Sequence, residues 1–253
     1  MARKALEQEP APPAAADHRE ALEIDAAEWE RLGRALEDAI PSYERMNQVM
    51  SLGQVKAWRR FTAAKAKRGE AALEIGSGPG VFGELLAERG VGSTVLLDPL
   101  AAMHRAAQKR ARSALFVRGV AERLPLAAGS VDRAFCLFSF RDFLDKRRGL
   151  REIKRVLKPR GWVHVLEPAK TRGLKQALVN LHVNVAVPIL ARLLVPPRVQ
   201  RTWRGNPYRA FAKTYRDFGS SDFYAELMRA EGFREVKIET LSLGGAALLS
   251  GRA

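Results

Sequence analysis

Apolar and polar positions alternate along this chain in two rhythms, and the first runs from Ala71 to Glu167. AALEI (71–75) is a short apolar run that ends in the Gly-rich GSGPG, and Val81 to Arg89 follows with helical spacing. STVLLD (93–98) predicts a second strand, Leu100 to Arg112 a second helix, and ALFV (114–117) a third strand. VDRAFCLFSF (131–140) reads as a fourth, followed by a helix over Leu150 to Leu157 that Pro159-Arg160-Gly161 breaks; WVHVLE (162–167) is a fifth. Strands that alternate with helices imply parallel pairing and a sheet covered on both faces. The rhythm then changes. Leu174 to Val195 is long and apolar with helical character, and Ser220 to Glu231 is a helix stopped by Gly232. REVKIETL (234–241) and AALLS (246–250) are two strands joined through LGG.

The front of the chain differs. Glu7 to Ala16 is rich in Ala and Pro, and Asp17 to Ile40 has helical spacing among acids. Residues 1–40 are therefore an acidic, partly disordered N-terminal extension, and residues 41–253 the main domain, with helical lid elements at 41–67 and 172–218. Met1 to Ala16 lacks the apolar core of a secretory signal, which predicts a cytoplasmic protein. Leu178 to Pro197 carries Asn180, His182, Asn184, Pro188 and Arg192, too many polar groups for a membrane span. It reads as an interfacial lid helix.

Composition sharpens this picture. The 253 residues are 47% hydrophobic and 28% charged, a globular balance. A single cysteine, Cys136, excludes a disulfide framework and a Cys-rich zinc site, and no metal site is predicted. The formal net charge is +15, which admits nucleic acid, an anionic membrane or an acidic small molecule as partner.

The chemistry concentrates in Glu74-Ile75-Gly76-Ser77-Gly78-Pro79-Gly80. A strand that runs into glycines and then a helix brings bare backbone against a ligand at the carboxyl edge of a parallel sheet. Asp98 closes the next strand, where a carboxylate can accept both hydroxyls of a ribose. Two ligands compete. Gly78-Pro79-Gly80-Val81-Phe82-Gly83 fits the dinucleotide fingerprint, with Asp98 twenty residues beyond Gly78. An acid followed by G-x-G-x-G instead suits S-adenosylmethionine, because Glu74 would attract an ammonium and repel a pyrophosphate. Ala121-Glu122-Arg123-Leu124-Pro125-Leu126 before Ser130-Val131-Asp132 adds an acid-bearing loop where an adenine amino group can be met, and favours the methyl donor.

Glu74 to Gly80, Asp98, AERLPL with SVD, and REIKRVLKPRGWVHVLEPAK resemble the successive motifs of class I methyltransferases. More narrowly, Tyr43-Glu44-Arg45-Met46-Asn47-Gln48-Val49-Met50-Ser51-Leu52-Gly53 with Trp58 is similar to the N-terminal signature of the ubiquinone/menaquinone biosynthesis C-methyltransferase family. Phe140-Arg141-Asp142-Phe143-Leu144-Asp145-Lys146, Tyr208-Arg209 and Leu243-Gly244-Gly245-Ala246 fall in that family's order. The resemblance spans residues 40 to 250. It departs at Glu74 (usually Asp), Pro79 (often Thr), Asp142 (usually Asn) and Ser250-Gly251-Arg252 (usually His-Arg-Gly).

This resemblance implies an α/β, Rossmann-like fold with a mostly parallel seven-stranded sheet, helices on both faces and an antiparallel C-terminal strand. It implies S-adenosylmethionine held by Glu74, Gly76, Ser77, Gly78, Pro79, Gly80, Asp98, Pro99, Val120, Ala121, Glu122 and Leu137. The acceptor would be a ring carbon of a lipophilic prenylated quinol, with Arg141 stabilising its phenolate. Asp142 and Glu167 are candidate proton acceptors, while His164 reads as a packed strand histidine. Tyr43, Met46, Met50, Trp58 and His182 are candidate acceptor-binding residues. Residues 141–216 hold 19 Lys and Arg against 4 Asp and Glu, so the positive charge brackets the apolar helix. That pattern predicts peripheral contact with the inner face of an anionic membrane. RNA is the alternative partner, supported by Trp203, Tyr208, Phe211, Tyr215 and Phe218 among the basic residues, and another lipid or small aromatic is the alternative acceptor.

Overall fold

The side-chain alternation of the central strands assigns two different layers to the two faces of one sheet. The computed structural model of the protein describes residues 40, 43–169, 181–186, 189–190 and 219–253. The predicted acidic extension and most of the second lid lie outside these residues. Helix α1 covers residues 43–50 and α2 Val55–Ala63; β1 (Ala71–Ile75), α3 (Val81–Glu88), β2 (Ser93–Leu97), α4 (Ala101–Ala107) and β3 (Leu115–Val117) follow. Then come β4 (Val131–Leu137), α5 (Lys146–Val156), β5 (Leu157–Pro168), α6 (Ser221–Ala230), β6 (Arg234–Leu241) and β7 (Ala246–Arg252). The seven strands lie in the order β3-β2-β1-β4-β5-β7-β6, parallel except for β7, which runs antiparallel to both β5 and β6. This is the expected sheet, and its order reverses at β1–β4, where open α/β sheets place their ligands.

Leu73, Ile75, Ala134 and Cys136 face one side with Leu150, Ile153 and Val156 of α5 and Tyr224, Ala225 and Met228 of α6. Ala72, Phe135 and Leu137 face the other, under Val55, Trp58 and Ala63 of α2 and Phe82 and Leu86 of α3. Each fully buried large apolar side chain contributes about 1.5–3 kcal/mol, so the stripe spacing of α5 is enough to dock it. Its start is fixed by Asp145, whose carboxylate accepts the Arg148 N–H at 2.9 Å.

Several boundaries differ from the sequence reading: α4 stops at Ala107 rather than Arg112, α5 starts at Lys146 rather than Leu150, β7 runs on to Arg252, and two further differences have a clear backbone cause. Strand β4 stops at Leu137 rather than Phe140, because Phe138 turns into the left-handed region at φ 60°. Strand β5 begins at Leu157 rather than Trp162. Val131 pairs with Leu157 and Arg133 with Trp162, so Pro159-Arg160-Gly161 forms a bulge where the missing proline N–H is tolerated.

A polar chain crosses the middle of the sheet. Arg133 pairs with Glu70 at 2.6 Å, and its Nη1 meets His164 Nε2 at 3.2 Å; His164 Nδ1 lies 2.8 Å from Ser250 Oγ. An arginine can only donate, so Nε2 accepts and the Nδ1–H donates to Ser250. Burial, aided by Arg133 and Lys65, pushes the His164 pKa down to about 3. His164 is thus a neutral strand histidine, sandwiched by the rings of Phe135 and Trp162. Arg133→Met is expected to lower the unfolding free energy by about 2–4 kcal/mol in urea denaturation. That is the lower end of what breaking a buried pair costs, since Glu70 keeps some water and the Lys67 N–H.

Candidate active site

Three carboxylates end three strands at the carboxyl edge: Glu74 on β1, Asp98 just past β2, and Glu167 on β5. All three are buried, at 3%, 6% and 1% exposure. Such groups are costly to bury unless something answers their charge, and the answers define the site.

The glycine loop is set first. Gly76, Gly78 and Gly80 all have positive φ, a conformation that side chains resist. The Gly76 and Ser77 N–H groups donate to the Leu97 carbonyl at 2.8 and 3.0 Å, which pins the loop over the end of β2. A Cβ at Gly76 would come within 2.4 Å of Ser139 Cβ, and one at Gly80 within 2.7 Å of Ala107 Cβ. Above Gly78 the space is open, with the Tyr43 hydroxyl 3.9 Å from where a Cβ would stand. Two buried polar atoms beside this opening, Glu74 Oε2 and Ser77 Oγ, have no hydrogen-bond partner in the protein.

Asp98 accepts the Gly78 N–H through Oδ2 and the Leu100 N–H through Oδ1, both at 2.9 Å. Burial raises its pKa to about 6 against those two bonds. Burial also pushes Glu74 well above the usual carboxylate range, with Arg59 pulling it down and Asp98 adding to the rise. Arg59 is itself buried on α2 and bonded to Glu44 at 2.6 Å. An arginine within the apolar stripe Val55, Trp58, Thr62, Ala63 was the sequence's sign of this counter-charge, and it went unread.

At the third carboxylate, Arg141 Nη1 donates to Glu167 Oε2 at 2.8 Å and the Arg141 N–H to Oε1 at 3.2 Å. Burial raises the Glu167 pKa and the guanidinium opposes it. Asp142 stands on the solvent side, 3.8 Å from Arg141 Nε. Ser139, also unread in the sequence, donates from Oγ to the Ile75 carbonyl at 2.6 Å and so ties this turn to the glycine loop.

The remaining predicted residues divide into two groups. Tyr43 is half-buried over the loop; burial raises its phenol pKa, while Arg59, Arg141 and Asn47 lower it. Leu137 ends β4 buried in the cluster under α2, Ala121 is buried in the cluster on the α5 side, and Val120 bridges to Arg123. Glu122 Oε1 accepts the Leu144 and Asp145 N–H groups at 2.7 and 3.2 Å. Pro99 precedes α4, and its carbonyl accepts from Arg118 at 3.4 Å. Met46 is fully buried, and Trp58 donates from Nε1 to Ser242 Oγ at 2.8 Å, so both serve packing at least. His182 Nε2 lies 3.0 Å from the Met50 carbonyl, which docks the 181–186 segment on α1.

Two buried carboxylates close to the loop would repel a pyrophosphate. An unpartnered carboxylate oxygen and an unpartnered hydroxyl suit an ammonium and a carboxylate, the two ends of an amino acid. The sequence model of the ubiE/COQ5 methyltransferase family matches residues 26–252. The chain belongs to this family. It is 32% identical over 219 residues to the demethylmenaquinone methyltransferase of Deinococcus radiodurans, covering 83% of this chain and 88% of that one. It is 32% identical over 218 residues to the ubiquinone/menaquinone biosynthesis C-methyltransferase UbiE of Acidiphilium cryptum, with 83% and 85% covered. Among solved structures, a SAM-dependent methyltransferase of Thermotoga maritima, described as a possible histamine N-methyltransferase, aligns with a TM-score of 0.60. It is 20% identical and covers 87% of this chain and 98% of that one, which supports the fold alone.

The protein is thus a methyltransferase, and the glycine loop with its two unpartnered atoms fits S-adenosylmethionine as the methyl donor. A carboxyl raised from 3.8 to about 6 is ionised above that pH and protonated below it. S-Adenosylmethionine affinity is therefore expected to weaken as pH falls through about 6, if Asp98 accepts the ribose hydroxyls in its ionised form. Calorimetry from pH 7.5 to 5 checks this, and Asp98→Asn should bind more weakly with a flatter profile.

Proposed function

We propose that this enzyme methylates a ring carbon of a prenylated quinol. The observation that carries the reading is the buried Arg141–Glu167 pair at the same edge as the glycine loop, in a chain related to enzymes named for that reaction. Glu74 and Ser77 hold the amino acid end of the cofactor, Asp98 the ribose, and the loop at Val120, Ala121 and Glu122 with Leu137 the adenine. Bound S-adenosylmethionine supplies an electrophilic methyl on a positively charged sulfur.

What the protein adds is position and electrostatics. A phenolic ring carbon becomes nucleophilic when its neighbouring oxygen loses a proton. A guanidinium at that oxygen stabilises the phenolate, as preorganised donors stabilise other oxyanions. Both Glu167 oxygens are occupied by Arg141, so Glu167 fixes the guanidinium rather than taking the proton. Asp142, 57% exposed by side chain on the far side of Arg141, has the access to water that a proton acceptor needs. Tyr43 and the docked His182 segment close the acceptor side and exclude water, which strengthens these charges.

The lipid-soluble acceptor accounts for the exposed apolar surface. Leu181, Val185 and Ile189 recur every fourth residue and are 59%, 47% and 57% exposed. Leu52, 72% exposed, lies two residues beyond the Met50 carbonyl that holds His182. Residues 181–190 contain no charge, while 170–218 as a whole hold 10 Lys and Arg against one Asp. An apolar ridge in a basic surround suits the cytoplasm-facing surface of an anionic bilayer. No helix among the described residues is long and apolar enough to cross one.

Labelled methyl transfer is expected to a demethylated prenylated quinol and not to total RNA; incorporation into RNA alone overturns the reading. Arg141→Lys keeps a charge opposite Glu167 but loses the fork. It should lower kcat on the order of 10²–10³-fold, the cost of one oxyanion donor, with cofactor affinity within about twofold. The protein should co-sediment with phosphatidylglycerol vesicles at low salt, and Val185→Glu with Leu52→Glu should release it.

A further inference from the structure

We propose that Phe138 is a specificity-determining residue, an aromatic wall on which the flat ring of the acceptor lies beside Arg141. This inference rests on the function proposed above and assigns the residue that reads the acceptor's ring.

The first observation is backbone strain. The non-glycine residues with positive φ are Leu52, Phe138, Arg160, Glu235 and Ser242, among the described residues. Leu52 precedes Gly53 in a turn, Arg160 lies in the β5 bulge, Glu235 in the β6 irregularity, and Ser242 in a short 3-10 turn. Phe138 is different. It directly follows Leu137 at the carboxyl end of β4, at φ 60°, and its N–H still donates to the Leu166 carbonyl of β5 at 2.8 Å. For a bulky side chain this region brings Cβ against the next carbonyl, and such strain persists mainly where a site requires it.

The second observation is what the turn achieves. From Phe138 the chain crosses β1, where Ser139 seats against Gly76 and bonds Ile75, and then returns over β5, where Arg141 meets Glu167. A glycine at position 138 would make this same turn without strain. The turn therefore accounts for the backbone and leaves the phenyl ring to be explained.

The third observation is the ring's surroundings. Phe138 is half-buried and packs against the cluster beneath α2, its ring 6.4 Å from that of Trp58 at 45°. Trp58 is held in turn by its bond to Ser242, so the partner ring is fixed. Phe138 is thus braced by Trp58 and keeps part of its surface exposed, three positions along the chain from Arg141. Aromatic rings attract one another in offset and edge-to-face geometries. An acceptor lying there presents its ring to Phe138 and its oxygen to Arg141 at once.

Three variants test this. Phe138→Gly keeps the turn and removes the ring, Phe138→Ala removes the ring and keeps the strain, and Phe138→Tyr keeps the ring. The Gly variant should melt above the Ala variant, the reverse of the ordinary order, because only alanine resists φ 60°. In both, KM for a demethylated prenylated naphthoquinol should rise about 3- to 10-fold with cofactor affinity unchanged, and the Tyr variant should stay near wild type. An unchanged KM in the Gly and Ala variants, or an equal loss of cofactor affinity, overturns the role. Binding of 2-naphthol, followed by its fluorescence, separates this from the proposed function. A wild type that transfers nothing to quinols, but binds naphthol in a Phe138-dependent way, refutes the quinol and keeps the wall. A wild type that binds no naphthol refutes the wall itself.

Discussion

Buried negative charge at the carboxyl edge of the sheet is the constraint on which the rest of this structure depends. Glu74, Asp98 and Glu167 stand at the carboxyl ends of three strands, and each is withdrawn from water. Asp98 is answered by the Gly78 N–H of the glycine loop and the Leu100 N–H of its own turn. The other two need arginines, and neither arginine belongs to the sheet. Arg59 arrives on α2 and Arg141 on the turn after β4, so the N-terminal helices and that turn are held in place by electrostatics as well as by packing. The same need explains why α1 and α2 behave as part of the catalytic domain although they precede its first strand.

The arrangement also divides the labour between cofactor and acceptor. On the glycine-loop side the charge remains partly unanswered, through Glu74 Oε2 and Ser77 Oγ, the two atoms that the proposed function gives to the amino acid end of the cofactor. On the Glu167 side both carboxylate oxygens accept from Arg141. What Glu167 holds there is a guanidinium of fixed direction. The two carboxylates lie at the ends of β1 and β5 with β4 between them.

Much of this was legible in the sequence, and the exceptions share a cause. Strands β1 and β6 match their predicted limits to the residue, because apolar runs bounded by glycine or charge leave little choice. Glu74, Asp98 and Arg141 fall at strand ends because motif spacing carries that information. The turn at Phe138 was not legible, since FCLFSF has the apolar content of a strand and nothing in periodicity reveals a left-handed residue. The β5 bulge was missed for a similar reason, as Pro159-Arg160-Gly161 reads as a stop whether or not pairing resumes beyond it. Pairs formed through space, Arg59 with Glu44 and Arg141 with Glu167, were invisible because only the folded chain brings them together. Met46 and Trp58 show the limit of patterning from the other side, since a large apolar residue on a helix has the same signature in a pocket wall and in a core.

The bond from Trp58 to Ser242 joins residues 184 positions apart, and the Lys65–Glu239 pair at 2.6 Å repeats the connection. The helix that carries Arg59 is therefore anchored to the turn and hairpin that enter the sheet last. During synthesis the glycine loop and its flanking strands can assemble early from neighbouring pieces. Helix α2 packs on β1, β4 and α3, but its bond to Ser242 and the Lys65–Glu239 pair wait for the last hairpin. The helix that positions the counter-charge for Glu74 is thus tied down at its far side by the β6–β7 hairpin, so loosening that hairpin would also loosen the electrostatics of the glycine loop.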